Sequence, residues 1–277
     1  MREIGVNTWV WTSPLTDETL AELVPHVATL GFDVIELPVE QPGQWDAHRA
    51  AELLRTYGLG ASVVLVMPPD RELVAASPET VHATQDYLRH CVDVAGIVGA
   101  PAISGPAYAS VGRTWHLDAD QRHSVYAELR ENLKPVVDYA AERSVRIGVE
   151  PLNRYETSLI NTVDQALEAL PEGCGLALDT YHLNIEERSP AQAVRAAGER
   201  LVHLQVCGTD RGAPGADHFD WRAFTEAVDL VGYGGPLVIE SFTPDNTTIA
   251  TAASIWRPLA PSPDALAADG LEFLRTL

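Results

Sequence analysis

Basic residues are scarce in this chain. Nineteen Lys and Arg stand against 39 Asp and Glu in 277 residues, a formal net charge of −20. A nucleic-acid binder needs clusters of Lys and Arg to neutralise phosphates, and no such patch is written here. The acidity itself reads as a solvated surface and names no partner. Cysteine is nearly absent too: Cys91, Cys174 and Cys207 are odd in number and far apart, which argues against a disulfide framework. No stretch approaches the roughly 18 apolar residues of a membrane span. The opening Met1-Arg2-Glu3-Ile4-Gly5 runs straight into an apolar segment, without the h-region and cleavage site of a signal peptide. The expectation is therefore a cytoplasmic protein. Pro/Ser-rich linkers, low-complexity tracts and solenoid repeats are also missing, so residues 1–277 read as one domain.

What the chain does have is alternation. Short β-branched runs at Ile4–Trp9, Val34–Leu37, Ser62–Val66, Ala102–Ser104, Arg146–Glu150, Gly175–Asp179, Leu201–Val206 and Pro236–Glu240 predict eight strands. Amphipathic stretches near 17–30, 46–57, 78–97, 119–143, 162–169, 190–198, 219–231 and 264–276 predict eight helices. Ser77-Pro78 and Ser189-Pro190 each place a capping hydroxyl before a Pro at the first helical position, and Asp120 and Thr162 sit where other helices begin. Strict alternation requires parallel strands joined by helical crossovers, and eight such units in this length predict an α/β fold, a single (βα)8 TIM barrel. A doubly wound open sheet is the competitor. The turn after its first strand usually carries GxGxxG, whereas this one reads Trp9-Val10-Trp11-Thr12-Ser13-Pro14.

In such a barrel the active site gathers where strands end and βα loops begin. Strands 5, 6 and 8 each finish an apolar run on a carboxylate: Glu150, Asp179 and Glu240. One such ending is an ordinary helix cap or surface acid. Three at one mouth would repel and raise one another's pKa unless a cation sat among them. Strand 7 offers His203, Gln205 and Cys207 on one face by its period of two, and whichever lies level with the carboxylates is the fourth ligand. Oxygen and nitrogen donors suit one divalent ion, with Mn²⁺ expected first and Mg²⁺ or Co²⁺ as alternatives.

The motifs Glu150-Pro151-Leu152-Asn153-Arg154-Tyr155-Glu156, Leu178-Asp179-Thr180-Tyr181-His182, Asp210-Arg211-Gly212-Ala213-Pro214-Gly215, Ile239-Glu240-Ser241-Phe242 and Ile255-Trp256-Arg257 make the chain recognisable. It resembles the sugar isomerase/epimerase superfamily of xylose-isomerase-like barrels, and within it the ketose 3-epimerases of D-tagatose/D-allulose type. The resemblance implies that Glu150, Asp179 and Glu240 bind metal, with Glu150 and Glu240 as the acid/base pair. It implies that Glu156, His182 and Arg211 hold the substrate. It also aligns Gln205 with the family's metal-binding His on strand 7, and His203 with a deeper residue. Hydroxypyruvate isomerases carry a Gln at that place, and an amide oxygen can complete the site.

The expected activity is C3 epimerisation of a free ketose, with aldose–ketose or hydroxypyruvate-type isomerisation and 3-oxo-glycoside cleavage as alternatives on the same residues. The DNA-repair endonuclease branch of this barrel needs a His-rich metal cluster and a basic face, which the sequence does not offer. A non-enzymatic sugar binder would not need both Glu150 and Glu240. The expected partner is a small sugar, with no nucleic acid or membrane, and the sequence leaves room for a homo-oligomer. Trp9, Trp11, Glu36, Trp45, Tyr108 and Trp115 fall near strand ends or loops as candidates for a sugar-facing wall, and His218 either reaches the mouth or begins a helix.

Overall fold

Strands β1 (Ile4–Asn7), β2 (Val34–Val39), β3 (Gly60–Leu65), β4 (Ala102–Gly105), β5 (Arg146–Val149), β6 (Gly175–Asp179), β7 (Leu201–Val206) and β8 (Leu237–Ile239) pair in chain order, all parallel. The pairing of Ile4 with Leu237 closes the ring into a barrel. The structure, a computed structural model, describes residues 2–277, the side chain of Thr248 apart. Helices cover the strands on the outside, so most strand residues are buried on both faces, and the strands are accordingly near-continuous in Val, Ile, Leu and Ala.

Ten helices are present among the described residues: α1 (Asp17–Leu30), α2 (Ala47–Tyr57), α3 (Pro78–Val98), α4 (Ala119–Ala141), α5 (Val163–Ala169), α6 (Thr180–Glu186), α7 (Pro190–Ala197), α8 (Trp221–Leu230), α9 (Thr247–Ala252) and α10 (Pro263–Leu274). Ser77, Thr162 and Ser189 cap α3, α5 and α7 with their hydroxyls as expected. The cap of α4 is Asp118, in a capping box with Gln121, and not Asp120, which lies in the first turn. Two helices lay outside the sequence expectation. The β6 carboxylate Asp179 accepts from the Tyr181 N–H and so starts α6 directly, leaving no loop to mark it. The six-residue α9 carries no side-chain cap.

Strand ends also shift by a residue or more. The predicted first strand stops at Asn7, whose Oδ1 accepts from the Trp9 N–H and turns the chain into a 3-10 helix, Thr8–Val10. Glu150 and Glu240 each stand one residue past the end of β5 and β8.

Close packing of β5, β6 and β7 depends on two glycines. A Cβ on Gly175 would stand 2.6 Å from Val202 Cγ1, and one on Gly148 2.7 Å from Val202 Cγ2. Gly175→Ala is therefore expected to lose about 1–3 kcal/mol of stability by overpacking, in denaturant titration, with part of the loss recovered by Val202→Ala.

Candidate functional site

The strand ends of β5, β6 and β8 bring their carboxylates to one buried mouth. Glu150, Asp179 and Glu240 are all 5% exposed or less. Glu150, Asp179 and His182 each offer a ligand atom, and these lie within 4.8 Å of one another. Glu240 joins them through shared partners: its Oε2 lies 3.0 Å from Arg211 Nη1, and its Oε1 accepts from Gln205 Nε2 at 2.8 Å. Arg211 Nη1 also pairs with Asp179 Oδ2.

Burial pushes the Glu150 carboxyl well above the usual carboxylate range, and Glu240 and Asp179 push it further, against the pull of Arg211. Glu240 is likewise held high by burial, again against Arg211. Arg211 stays protonated: burial works against its charge, but Asp179 and Glu240 outweigh it. Its guanidinium lies over the Tyr181 ring at 4.4 Å and faces Phe242 at 5.3 Å. Its backbone takes a left-handed φ of 69°, uncommon for a residue with a side chain, and its carbonyl accepts from the Ser241 hydroxyl.

His182 begins in α6 and turns into the same mouth. Burial lowers its pKa, so the ring is neutral. Its Nδ1 accepts from the Asn153 backbone N–H at 3.0 Å, which leaves the proton on Nε2. That N–H faces Glu150 Oε1 at 3.5 Å. A ring in this tautomer is a hydrogen-bond donor at Nε2, which suits it to a substrate oxygen. Asn153 was not singled out from the sequence, although it lies inside the Glu150–Glu156 motif. Its Nδ2 also donates to Glu156 Oε1 at 2.7 Å, so Glu156, in the turn after β5, is tied to His182 through one amide.

On strand 7 the three inward candidates separate by depth. His203 Nε2 lies 2.7 Å from Glu36 Oε1 in the barrel interior. Gln205 pairs in register with Asp179, and its Nε2 donates to both Glu36 and Glu240 at 2.8 Å. Its Oε1 is buried without a partner. Cys207 Sγ lies 3.6 Å from Arg211 Nη1, and burial drives its thiol far above the ordinary range, so it stays protonated.

The expected aromatic wall is only partly there. Trp9 packs with Val64, Phe242, Ala250 and Ile255 in an apolar cluster separate from the main core, its ring 6.0 Å from that of Phe242. The other candidates have partners of their own. Trp45 is buried and donates to the Pro38 carbonyl. Trp11 donates to Asp264, and Trp115 carries the Arg113 guanidinium. Tyr108 is fully buried and donates to the Glu150 carbonyl, holding the backbone beneath the acid. Glu36 lies in the middle of β2 and belongs to the interior. His218 is exposed ahead of α8, lining an outer cavity of about 330 Å³ with Asn184, Arg188 and Asp220. Asn7 carried no signal in the sequence, and Phe242 and Tyr181 lay inside quoted motifs without being singled out, because a strand Asn and two loop or helix aromatics are ordinary packing residues until the fold places them.

The residues fit a divalent cation. An unpartnered buried amide oxygen, and two carboxyls held high by burial with only Arg211 charged against them, are the conditions a bound ion would relieve.

Known proteins resemble the chain over nearly its whole length. The family model for a xylose isomerase-like TIM barrel matches residues 24–277. The L-ribulose 3-epimerase of Methylomonas sp. is 30% identical over 99% of this chain and 96% of its own. The probable ketose 3-epimerase of Synechocystis sp. is 31% identical, again over 99% and 96%. The crystal structure of a D-allulose 3-epimerase from Methylomonas sp. with D-allulose superposes with a TM-score of 0.90 at 29% identity, covering 99% of this chain and 96% of that one. No helix among the described residues is long and apolar enough to cross a membrane. The chain thus belongs to the xylose isomerase-like TIM barrel family, with ketose 3-epimerases among its close homologues.

Proposed function

We propose that this protein is a divalent-metal-dependent ketose 3-epimerase acting on a free sugar, with Glu150 and Glu240 as the two proton-transfer groups. One observation carries the reading: two buried carboxyls, both raised by burial, flank a mouth that also holds a buried guanidinium and a neutral imidazole N–H. Two carboxyls facing one mouth from different strands are placed to take a proton from a carbon held between them and to return one.

Glu150, Asp179, Gln205 and Glu240 would hold the ion. When bound, it supplies Lewis-acid stabilisation of the charge that builds on the substrate's carbonyl oxygen. The chain's own residues do the rest. His182 Nε2–H and the Arg211 guanidinium donate to substrate oxygens, and Glu156, held by Asn153, accepts from a hydroxyl. The Trp9–Phe242 wall covers the sugar's C–H surface. Glu150 removes the C3 proton from one face to give an enediolate, and Glu240 returns a proton to the other. β6 and β7 separate the strands that carry them, so the two carboxyls approach from different sides of the mouth. Mn²⁺ is the expected ion, since a neutral amide oxygen and carboxylates favour harder ions. A cytoplasmic location and a small-sugar partner complete the proposal.

The test is a screen of free ketoses with added Mn²⁺, read by product chromatography. Conversion of a ketose to its C3 epimer supports the reading, and no epimer from any ketose contradicts it. Gln205 gives a finer test. Gln205→Ala is expected to weaken Mn²⁺ affinity about 10–100-fold, in calorimetric titration, with the fold unchanged by circular dichroism. Gln205→His is expected to keep metal binding and shift preference toward Co²⁺ or Ni²⁺.

A further inference from the structure

Below the mouth lies a buried polar layer that the proposed chemistry does not use. Glu36 pairs in register with Asn7 on β1 and Ser62 on β3, so the three side chains stand at one level of the barrel. Glu36 is fully buried, and each of its oxygens is engaged. Oε2 accepts from Asn7 Nδ2 at 2.7 Å and from Gln205 Nε2 at 2.8 Å. Oε1 accepts from Ser62 Oγ at 3.2 Å and meets His203 Nε2 at 2.7 Å.

Glu36 Oε2 takes two amide N–H donors and is an acceptor there, whereas a primary amide has a donor end and an acceptor end of nearly equal size. Gln205 lies between Glu36 and Glu240 and turns its NH₂ to an oxygen of each. Its Oε1 is thereby the end left over, and that oxygen has no protein partner. Of the two carboxylates, Glu240 is itself a proposed ligand and Glu36 is not. The acceptor that stays committed to the Gln205 amide while Glu240 serves an ion is therefore Glu36. Asn7 cannot replace it, because the Asn7 carbonyl oxygen already accepts from the Trp9 N–H and its other end is a donor, given to Glu36.

We propose that Glu36 is a positioning residue that sets the orientation of the Gln205 amide, so that the carbonyl oxygen and not the NH₂ is offered to a divalent ion. The proposal rests on the reading of Gln205 as a ligand, and its test separates the two.

Glu36→Leu removes the acceptor but leaves His203 facing an apolar group, and the variant is at risk of misfolding. Replacing the pair together, Glu36→Leu with His203→Leu, removes both buried polar partners, a change that folded proteins often tolerate. His203→Leu alone retains the Glu36 acceptor and serves as the control. Mn²⁺ affinity of the apoprotein is measured by calorimetric titration for each, with Gln205 intact and with Gln205→Ala.

The expected result is that Glu36→Leu/His203→Leu weakens Mn²⁺ binding about 10–100-fold relative to His203→Leu. That difference should vanish in the Gln205→Ala background, since a residue acting only through Gln205 has nothing left to position. Two results overturn the positioning role: wild-type Mn²⁺ affinity in Glu36→Leu/His203→Leu, or a full loss that persists without Gln205. If Gln205→Ala alone leaves Mn²⁺ affinity unchanged, the ligand reading fails and the positioning role falls with it.

Discussion

Glu150→Gln and Glu240→Gln are each expected to cut turnover of a ketose by about 10²–10⁴-fold, the range for loss of one general acid–base group. Both substitutions keep the shape of the side chain and remove its ability to carry a proton between substrate and solvent. The two variants should not be equivalent. With one carboxylate left, the C3 epimer whose C3–H faces it can still lose that proton, while the other epimer has no base on its reacting face. Each variant is therefore expected to exchange deuterium from solvent into one epimer only, with opposite choice between the two. Proton NMR of each epimer in D₂O reads this directly. Wild-type turnover in Glu240→Gln would rule out the paired-carboxylate scheme.

Chelation is the second large effect. Exhaustive treatment with EDTA is expected to abolish turnover, and Mn²⁺, Co²⁺ or Mg²⁺ to restore it. An ion that binds only the folded chain stabilises it by mass action, about 2.7 kcal/mol at a hundredfold excess over Kd. In a protein of this size that is a rise of roughly 5 °C in Tm. The effect has a sign with pH. Glu150 and Glu240 hold their protons more tightly in the folded apoprotein than in the unfolded chain, because their pKa values are raised by burial first, with like charges nearby adding to it. Groups shifted this way stabilise the fold only while protonated. The apoprotein therefore loses stability as pH rises from the ordinary carboxylate range toward their folded values. Metal ligands must be deprotonated, so affinity for the ion climbs over the same window. The gap in Tm between metal-loaded and chelated protein should widen as pH rises above the ordinary carboxylate range, as read by differential scanning calorimetry. A gap that narrowed with pH would place the ion away from these carboxyls.

The barrel and the gathering of three carboxyls at its mouth were legible in the sequence because strand-end carboxylates announce themselves. Glu150, Asp179 and Glu240 each close an apolar run, and a parallel barrel can send such endings only to one face. The eight-fold alternation was equally plain, since each strand is buried on both sides and each long helix has a polar face. Other features were hidden for physical reasons. Asp179 ends β6 and caps α6 at once, so one residue carries two signals and only the first was read. Glu36 looked like a mouth residue because a lone acid in an apolar strand gives no depth; only register with Asn7 and Ser62 places it in the interior. Trp45 and Tyr108 belong to the core because their polar atoms find backbone carbonyls, a pairing that no spacing rule reveals. Asn153 was passed over inside its own motif, since its importance lies in joining His182 and Glu156 from different elements.

The most direct test of the central claim is where solvent hydrogen enters the sugar. The Mn²⁺-loaded protein is incubated with a free ketose in D₂O, and both substrate and product are read by proton and carbon NMR at early conversion. Two carboxylates on opposite faces of C3 predict a C3 epimer that carries deuterium at C3 and none at C1. Deuterium at C1, with an aldose as product, would instead mean that a proton moves between C1 and C2, and the protein would be an isomerase running different chemistry on the same residues.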